Sequence, residues 1–162
     1  MNKTQKRLML GCIFTNLIAA NLYLYITGSQ DFYGAPGTPN YHLMIGGSIA
    51  CVFCYFFLFA KIRPSTRNGF LLWLLSLTAC VVIAMIGNTI GVLILFGVKS
   101  VGDFFLHILA GLVMGFIGSF LFFQFIIPIS LINLIWLVPF AKNIYNEKMN
   151  KQQYNDEEIE IS

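Results

Sequence analysis

Apolar runs too long for a soluble core are the feature that most limits what this chain can become. Four stand out: Leu8 to Thr27, His42 to Ala60, Gly69 to Val98 and Phe104 to Phe140. A helix rises about 1.5 Å per residue and a bilayer's hydrocarbon core is about 30 Å thick, so roughly 20 apolar residues suffice for one crossing. All four runs qualify. Lipid supplies no hydrogen bonds to backbone N–H and C=O groups, so these runs must satisfy them internally as helices. Charge is correspondingly scarce, at 10% of residues against 57% hydrophobic, where a soluble domain carries about 25% charged residues. That is too little to cover a water-facing surface, which excludes soluble enzymes, nucleic-acid readers and disordered tails. The expected fold is all-α: a polytopic membrane protein, with a four-transmembrane-helix bundle over residues 1–141 and a polar tail over 142–162.

The few basic residues orient the bundle. Lys3, Lys6 and Arg7 precede the first run, Lys61, Arg63 and Arg67 separate the second and third, and Lys142, Lys148 and Lys151 follow the fourth. Only Lys99 falls on the other side. Cytoplasmic loops carry the excess of Lys and Arg, so both termini are expected inside, in a bacterial inner membrane. The basic start and Ile18-Ala19-Ala20 imitate a signal peptide, but the apolar run continues through Ile26 and reads as a retained anchor. The fourth run, at 37 residues, is about 55 Å of helix. Splitting it into two spans at Pro128 would put Lys142, Lys148 and Lys151 outside. One span kinked near Pro128, with Trp136 as an interfacial anchor, fits the charge pattern.

In lipid, helices associate where small residues let backbones approach. Gly111, Gly115 and Ser119 form such a stripe in the fourth span, and Gly87 and Gly91 one in the third. Gly46, Ala50 and Cys54 line the second, and Gly11, Thr15 and Ala19 the first. The stripes predict packing within the bundle. They also predict a homo-oligomer, with Gly111, Gly115 and Ser119 its foremost contact. Phe-rich faces such as Phe56, Phe57, Phe120 and Phe123 are lipid-facing surface or filler between helices.

Chemistry-bearing patterns are sparse. Membrane enzymes, pumps and carriers rely on ionisable groups inside the bilayer, and none sits mid-span here. Ser100-x-x-Asp103 resembles a capping box, and His107 shares a face with Asp103 one turn on. With His42 these make no recognisable ligand set, so no metal, cofactor or catalytic residue is expected. Asn16, Asn21, Asn88, Gln124 and Asn133 are amides within apolar sequence. They are either hydrogen-bonding glue between helices or the lining of a hydrated cavity. Cys51-x-x-Cys54 has redox spacing. But Cys12, Cys51, Cys54 and Cys80 all lie within spans, where a cysteine acts as a small hydrophobe.

Two parts meet water. The loop Gly28 to Tyr41 carries Phe32, Tyr33 and Tyr41 among glycines and prolines, either a plain connection or a surface that senses something outside. The tail places Lys142, Lys148 and Lys151 before Asp156, Glu157, Glu158 and Glu160. The lysines suit an anionic leaflet. The acids, alternating with Ile159 and Ile161 as a short added strand would, suit docking of a soluble partner.

In size, four spans, inward termini and a polar tail after Phe140, the chain resembles the membrane subunit of the Kiwa anti-phage defence system. The resemblance is architectural, covers the whole chain, and carries no motif or functional residue. It implies a membrane oligomer that detects infection and works with a soluble, DNA-binding cytoplasmic partner, without touching nucleic acid itself. Immunity proteins against pore-forming bacteriocins share the small polytopic plan. The expected function is therefore a non-catalytic membrane sensor or scaffold subunit, with a small channel, a transporter or an immunity protein as alternatives.

Overall fold

A computed structural model describes residues 1–27, 40–64, 66 and 68–161, with the side chains of 151 and 154–161 left out of account. The described residues form six helices: α1 (Lys3–Thr27), α2 (Tyr41–Lys61), α3 (Gly69–Phe96), α4 (Val101–Leu121), α5 (Phe123–Ile132) and α6 (Leu134–Ile161). Their ends follow local chemistry. The Asn68 side chain accepts from the N–H of Phe70 at 2.9 Å, capping α3. Ser100 Oγ accepts from the N–H of Asp103 at 3.1 Å, the capping bond its spacing predicts. Gly97, at φ 67°, closes α3 in a left-handed conformation that a side chain would resist.

Five stretches are long and apolar enough to cross a membrane: 3–26, 41–61, 69–96, 101–121 and 123–150. Between 17% and 28% of each apolar window is buried within the protein. The remaining apolar surface faces outward, as a multi-pass membrane protein requires and a water-soluble bundle could not tolerate.

The count and the kink differ from the sequence expectation. The run 104–140 is not one helix bent at Pro128. It breaks at Phe122, where φ is −104° and ψ 21°, and again at Asn133, which separates α5 from α6. Each break lies six positions before a proline, Pro128 inside α5 and Pro139 inside α6. A proline ring lacks an N–H and clashes with the carbonyl four residues earlier, here those of Gln124 and Ile135, so each break lies two residues further upstream than the clash itself. Four helices thus become six pieces, five stretches of them reaching spanning length.

Contacts give the path of these pieces. Gly111 packs on Thr89, Gly115 on Met85 and Ser130 on Trp73, so α4 and α5 descend along α3 in reverse. Tyr23 stacks on Phe125 with ring centroids 4.3 Å apart. Asn16 meets Asn133, Gly11 meets Trp136, and Gln5 meets Asn143, so α5 and α6 descend along α1 in reverse. The chain never turns back between Val101 and Glu147; α5 carries it sideways from α3 to α1. Residues 2–5 and 143–147 therefore sit at one end of the bundle. Phe140 packs edge-on to Phe59 at 4.6 Å, which sets the end of α2 there too.

The main core lies in that half. Cys12, Tyr55, Leu72, Leu137 and Phe140 are almost wholly enclosed, with Met9, Ile13, Phe59 and Ala141 around them. In the other half, α2, α3 and α4 touch backbone to backbone. A Cβ on Gly46 would collide with the Gly87 carbonyl, and one on Gly115 would fall 2.5 Å from Met85 Cα. Only glycine permits such proximity, which puts helix dipoles and Cα–H groups in direct contact.

Candidate functional site

The one concentration of buried polar chemistry among the described residues lies where α1, α2, α3 and the α5–α6 break converge. α1 contributes Cys12 and Asn16, one turn apart, and α2 contributes Tyr55. α3 contributes Ser76 and Cys80, again one turn apart. Asn133 occupies the break itself, fully buried, at φ −60° and ψ −22°. Helical spacing of three or four residues is what sets each pair on one face.

Asn133 is the hub. Its Oδ1 accepts from Asn16 Nδ2 at 2.7 Å and lies 3.7 Å from the Cys12 thiol. Its Nδ2 donates to Tyr55 Oη at 2.6 Å and to Ser76 Oγ at 3.0 Å. Tyr55 in turn donates to Asn16 Oδ1 at 2.9 Å, with Cys80 Sγ 3.5 Å from its hydroxyl. Asn16 Nδ2 also returns to the Cys12 carbonyl at 2.8 Å. Four separate segments are joined by amide, phenol and hydroxyl groups that consume one another's capacity. A set closed on itself locks helices in register at a depth where no water competes.

Smaller polar contacts extend the pattern. Trp73 Nε1 donates to Ser130 Oγ at 3.0 Å, fastening α3 to α5. Asn21 Nδ2 donates to Ser48 Oγ at 3.0 Å, fastening α1 to α2. Beside the latter is a crevice with about 10 Å³ of free space, lined by Leu17, Asn21, Met44, Ser48 and Cys51. That is about the size of one water molecule.

At the end shared by both chain segments, Asn143 Oδ1 accepts from Asn2 Nδ2 at 2.9 Å and from Gln5 Nε2 at 3.1 Å. The Glu147 carboxylate accepts from Asn2 and, at 2.9 Å, from Gln5. The start of α1 thereby grips α6 just beyond its apolar part. α6 continues as helix to Ile161, so in the chain by itself residues 158–161 belong to a helical extension. Leu134 to Met149 is already helical, and no proline follows Pro139 to interrupt it.

The sequence-predicted residues are distributed as follows. Gly87 lies against Gly47, Gly91 against His42 and Leu43, Gly111 against Thr89, and Gly115 against Ala84 and Met85. Ser119 is buried and donates to the Gly115 carbonyl at 2.8 Å. The whole stripe is occupied inside one chain. The half-buried ring of Trp136 covers Gly11, within 2.9 Å of where a Cβ would stand. Tyr41 is exposed at the first turn of α2, while Phe32 and Tyr33 lie outside the described residues. Asp156, Glu157, Glu158 and Glu160 are on the helical extension, their side chains outside the described set. His107 stacks on Phe96 at 5.6 Å. Cys12, Cys51, Cys54 and Cys80 are all free thiols, and no group of three or more metal-binding side chains gathers among the described residues.

Asn16 and Asn133 bond between helices, one of the two roles open to them in the sequence, whereas Tyr55 and Ser76 were not singled out there. The discoverable signal was register: Asn16 and Cys12, and Ser76 and Cys80, each recur at i, i+4. No known family, curated protein or solved structure matches the chain.

Proposed function

We propose that this chain is a non-catalytic membrane subunit that anchors in the bacterial inner membrane, assembles there with further copies, and presents α6 to a soluble cytoplasmic partner. The observation that carries this reading is the continuity of α6. The helix is rooted at Asn133 in the buried network, gripped at Asn143 and Glu147 by the start of α1, and continues to Ile161. A helix fixed at one end and rich in charged residues at the other conveys position rather than chemistry. Its outer part carries Lys148 and Lys151 and then Asp156, Glu157, Glu158 and Glu160, a charge pattern suited to a lipid surface followed by a basic partner.

The charge rule supports a cytoplasmic location for this end, where nine of the ten Lys and Arg residues belong. In this reading α4, α5 and the apolar part of α6 make one broken crossing, giving four crossings with both termini inside. Resemblance to the Kiwa membrane subunit supports antiviral defence as the setting and a DNA-binding protein as the partner. Contact with nucleic acid then belongs to the partner alone. The test is removal of residues 150–162. The truncated chain is expected to insert normally and to lose co-purification of the soluble partner and protection against phage. Unchanged co-purification and protection would overturn the reading.

A further inference from the structure

The fold gathers cations at one end and leaves them without counter-ions. Asn2 and Gln5 bond Asn143 and Glu147, and Phe59 packs on Phe140. These contacts bring Lys3, Lys6 and Arg7 of α1, Lys61 and Arg63 at the end of α2, and Lys142 of α6 to the same end of the bundle. All six are exposed. Among the described residues none of them is in an ion pair. The described carboxylate at this end, Glu147, accepts instead from Asn2 and, at 2.9 Å, from Gln5. The acids of the α6 extension begin at Asp156, about 21 Å of helix beyond Lys142. Exposed charges are screened over about 8 Å at physiological salt, so those acids do not neutralise this end.

α1 continues the cations into an apolar face. At about 100° per residue, Lys3, Arg7, Leu10, Phe14 and Ile18 fall within about 80° of one another. They stand opposite Gln5, Met9, Cys12 and Asn16, which are buried. Leu10 is 48% exposed, Phe14 61% and Ile18 65%. From Arg7 to Ile18 is about 17 Å of helix, close to the roughly 15 Å that one leaflet contributes to a hydrocarbon core. Lys3 and Arg7, four positions apart, repel each other, and an anion between them removes that repulsion. The complementary molecule is negative at one end and apolar along the rest. A free phosphate or a nucleic acid would use the cations and leave the apolar stripe bare.

We infer that the outer face of α1 binds an anionic phospholipid, its phosphate on Lys3 and Arg7 and an acyl chain along Leu10, Phe14 and Ile18. This rests on the membrane part of the reading above and names the lipid it takes; the partner and the α6 extension play no part in it. The test uses the full chain in nonionic detergent, given equal amounts of phosphatidylglycerol and phosphatidylcholine and weighed by native mass spectrometry. Phosphatidylglycerol should be retained about tenfold over phosphatidylcholine. The double variant Lys3→Gln, Arg7→Gln should weaken that retention about thirtyfold, the size of two headgroup charges. Lys99→Gln, between α3 and α4 at the other end, should leave it unchanged. Because Lys3 and Arg7 are exposed, the double variant keeps its fold, which a melting curve verifies. Glycerol phosphate, which has the headgroup charge without the chains, should not displace the lipid. The inference falls if both lipids are retained equally, if the double variant retains phosphatidylglycerol as well as the parent does, if Lys99→Gln loses as much, or if glycerol phosphate competes on equal terms. Failure of the membrane reading is distinct: alkaline carbonate would then strip the chain from bacterial membranes before any detergent is added.

Discussion

Replacing Asn133 with Ala tests the network at its hub. The backbone at this position is right-handed helical, so Ala is accepted without strain and the effect reports the side chain. The three shortest bonds lost are to Asn16 at 2.7 Å, Tyr55 at 2.6 Å and Ser76 at 3.0 Å. Side-chain hydrogen bonds inside membrane proteins average about 0.6 kcal/mol and reach about 1.7 kcal/mol. The loss is therefore about 2–5 kcal/mol, softened because Asn16 keeps the Cys12 carbonyl and Tyr55 keeps Asn16 Oδ1. The measurement is reversible unfolding of the full chain in mixed micelles by titrated SDS. Tyr55→Phe, which removes only the hydroxyl, should cost about 1–3 kcal/mol. The double variant should lose less than the sum by about 1 kcal/mol, the sign of a shared network. A loss below about 0.5 kcal/mol for Asn133→Ala, or strict additivity with Tyr55→Phe, would refute the claim that these residues lock the helices together.

Two further outcomes follow from the packing. Gly46→Ala, which sets a methyl against the Gly87 carbonyl, should destabilise the bundle by at least about 2 kcal/mol, whereas Gly118→Ala, with nothing within 4 Å of the new methyl, should stay within about 0.5 kcal/mol; equal effects in a melting comparison would contradict the close α2–α3 approach. Gln5→Ala, which frees one side of the grip on Asn143 and Glu147, should speed amide exchange over residues 143–150 several-fold while leaving α3 protected; unchanged exchange there would mean that α1 does not hold the base of α6.

Hydropathy made the apolar segments readable because lipid imposes one requirement on every residue of a span. The limits of that reading have physical causes. Proline marks a helix as distorted without fixing where it breaks, and the breaks fall at Phe122 and Asn133 rather than at Pro128. Small-residue stripes announce close contact without naming the partner, and Gly46 could have met any of three helices before Gly87 claimed it. Tyr55, within Cys54-Tyr55-Phe56-Phe57, looks like one more aromatic of a lipid-facing run until the fold brings its hydroxyl to Asn133. Trp136 reads in the sequence as an interfacial anchor, and nothing there shows that Gly11 makes room for its ring. Gln124 and Asn133 were equivalent amides in the sequence. Only their opposite placements, one exposed and one wholly enclosed, separate a surface amide from an internal lock.

The central claim is that the last three helices return the chain to the side on which it began and present α6 to the cytoplasm. The most direct measurement fuses a topology reporter in turn at Met1, Lys99 and Ser162 of the full chain in a bacterial inner membrane. A fluorescent protein at Met1 and at Ser162 should mature and an alkaline phosphatase at Lys99 should be active, with the converse reporters silent. Alkaline phosphatase activity at Ser162 would mean that α4 and α5–α6 cross separately, placing α6 outside, and would contradict the account.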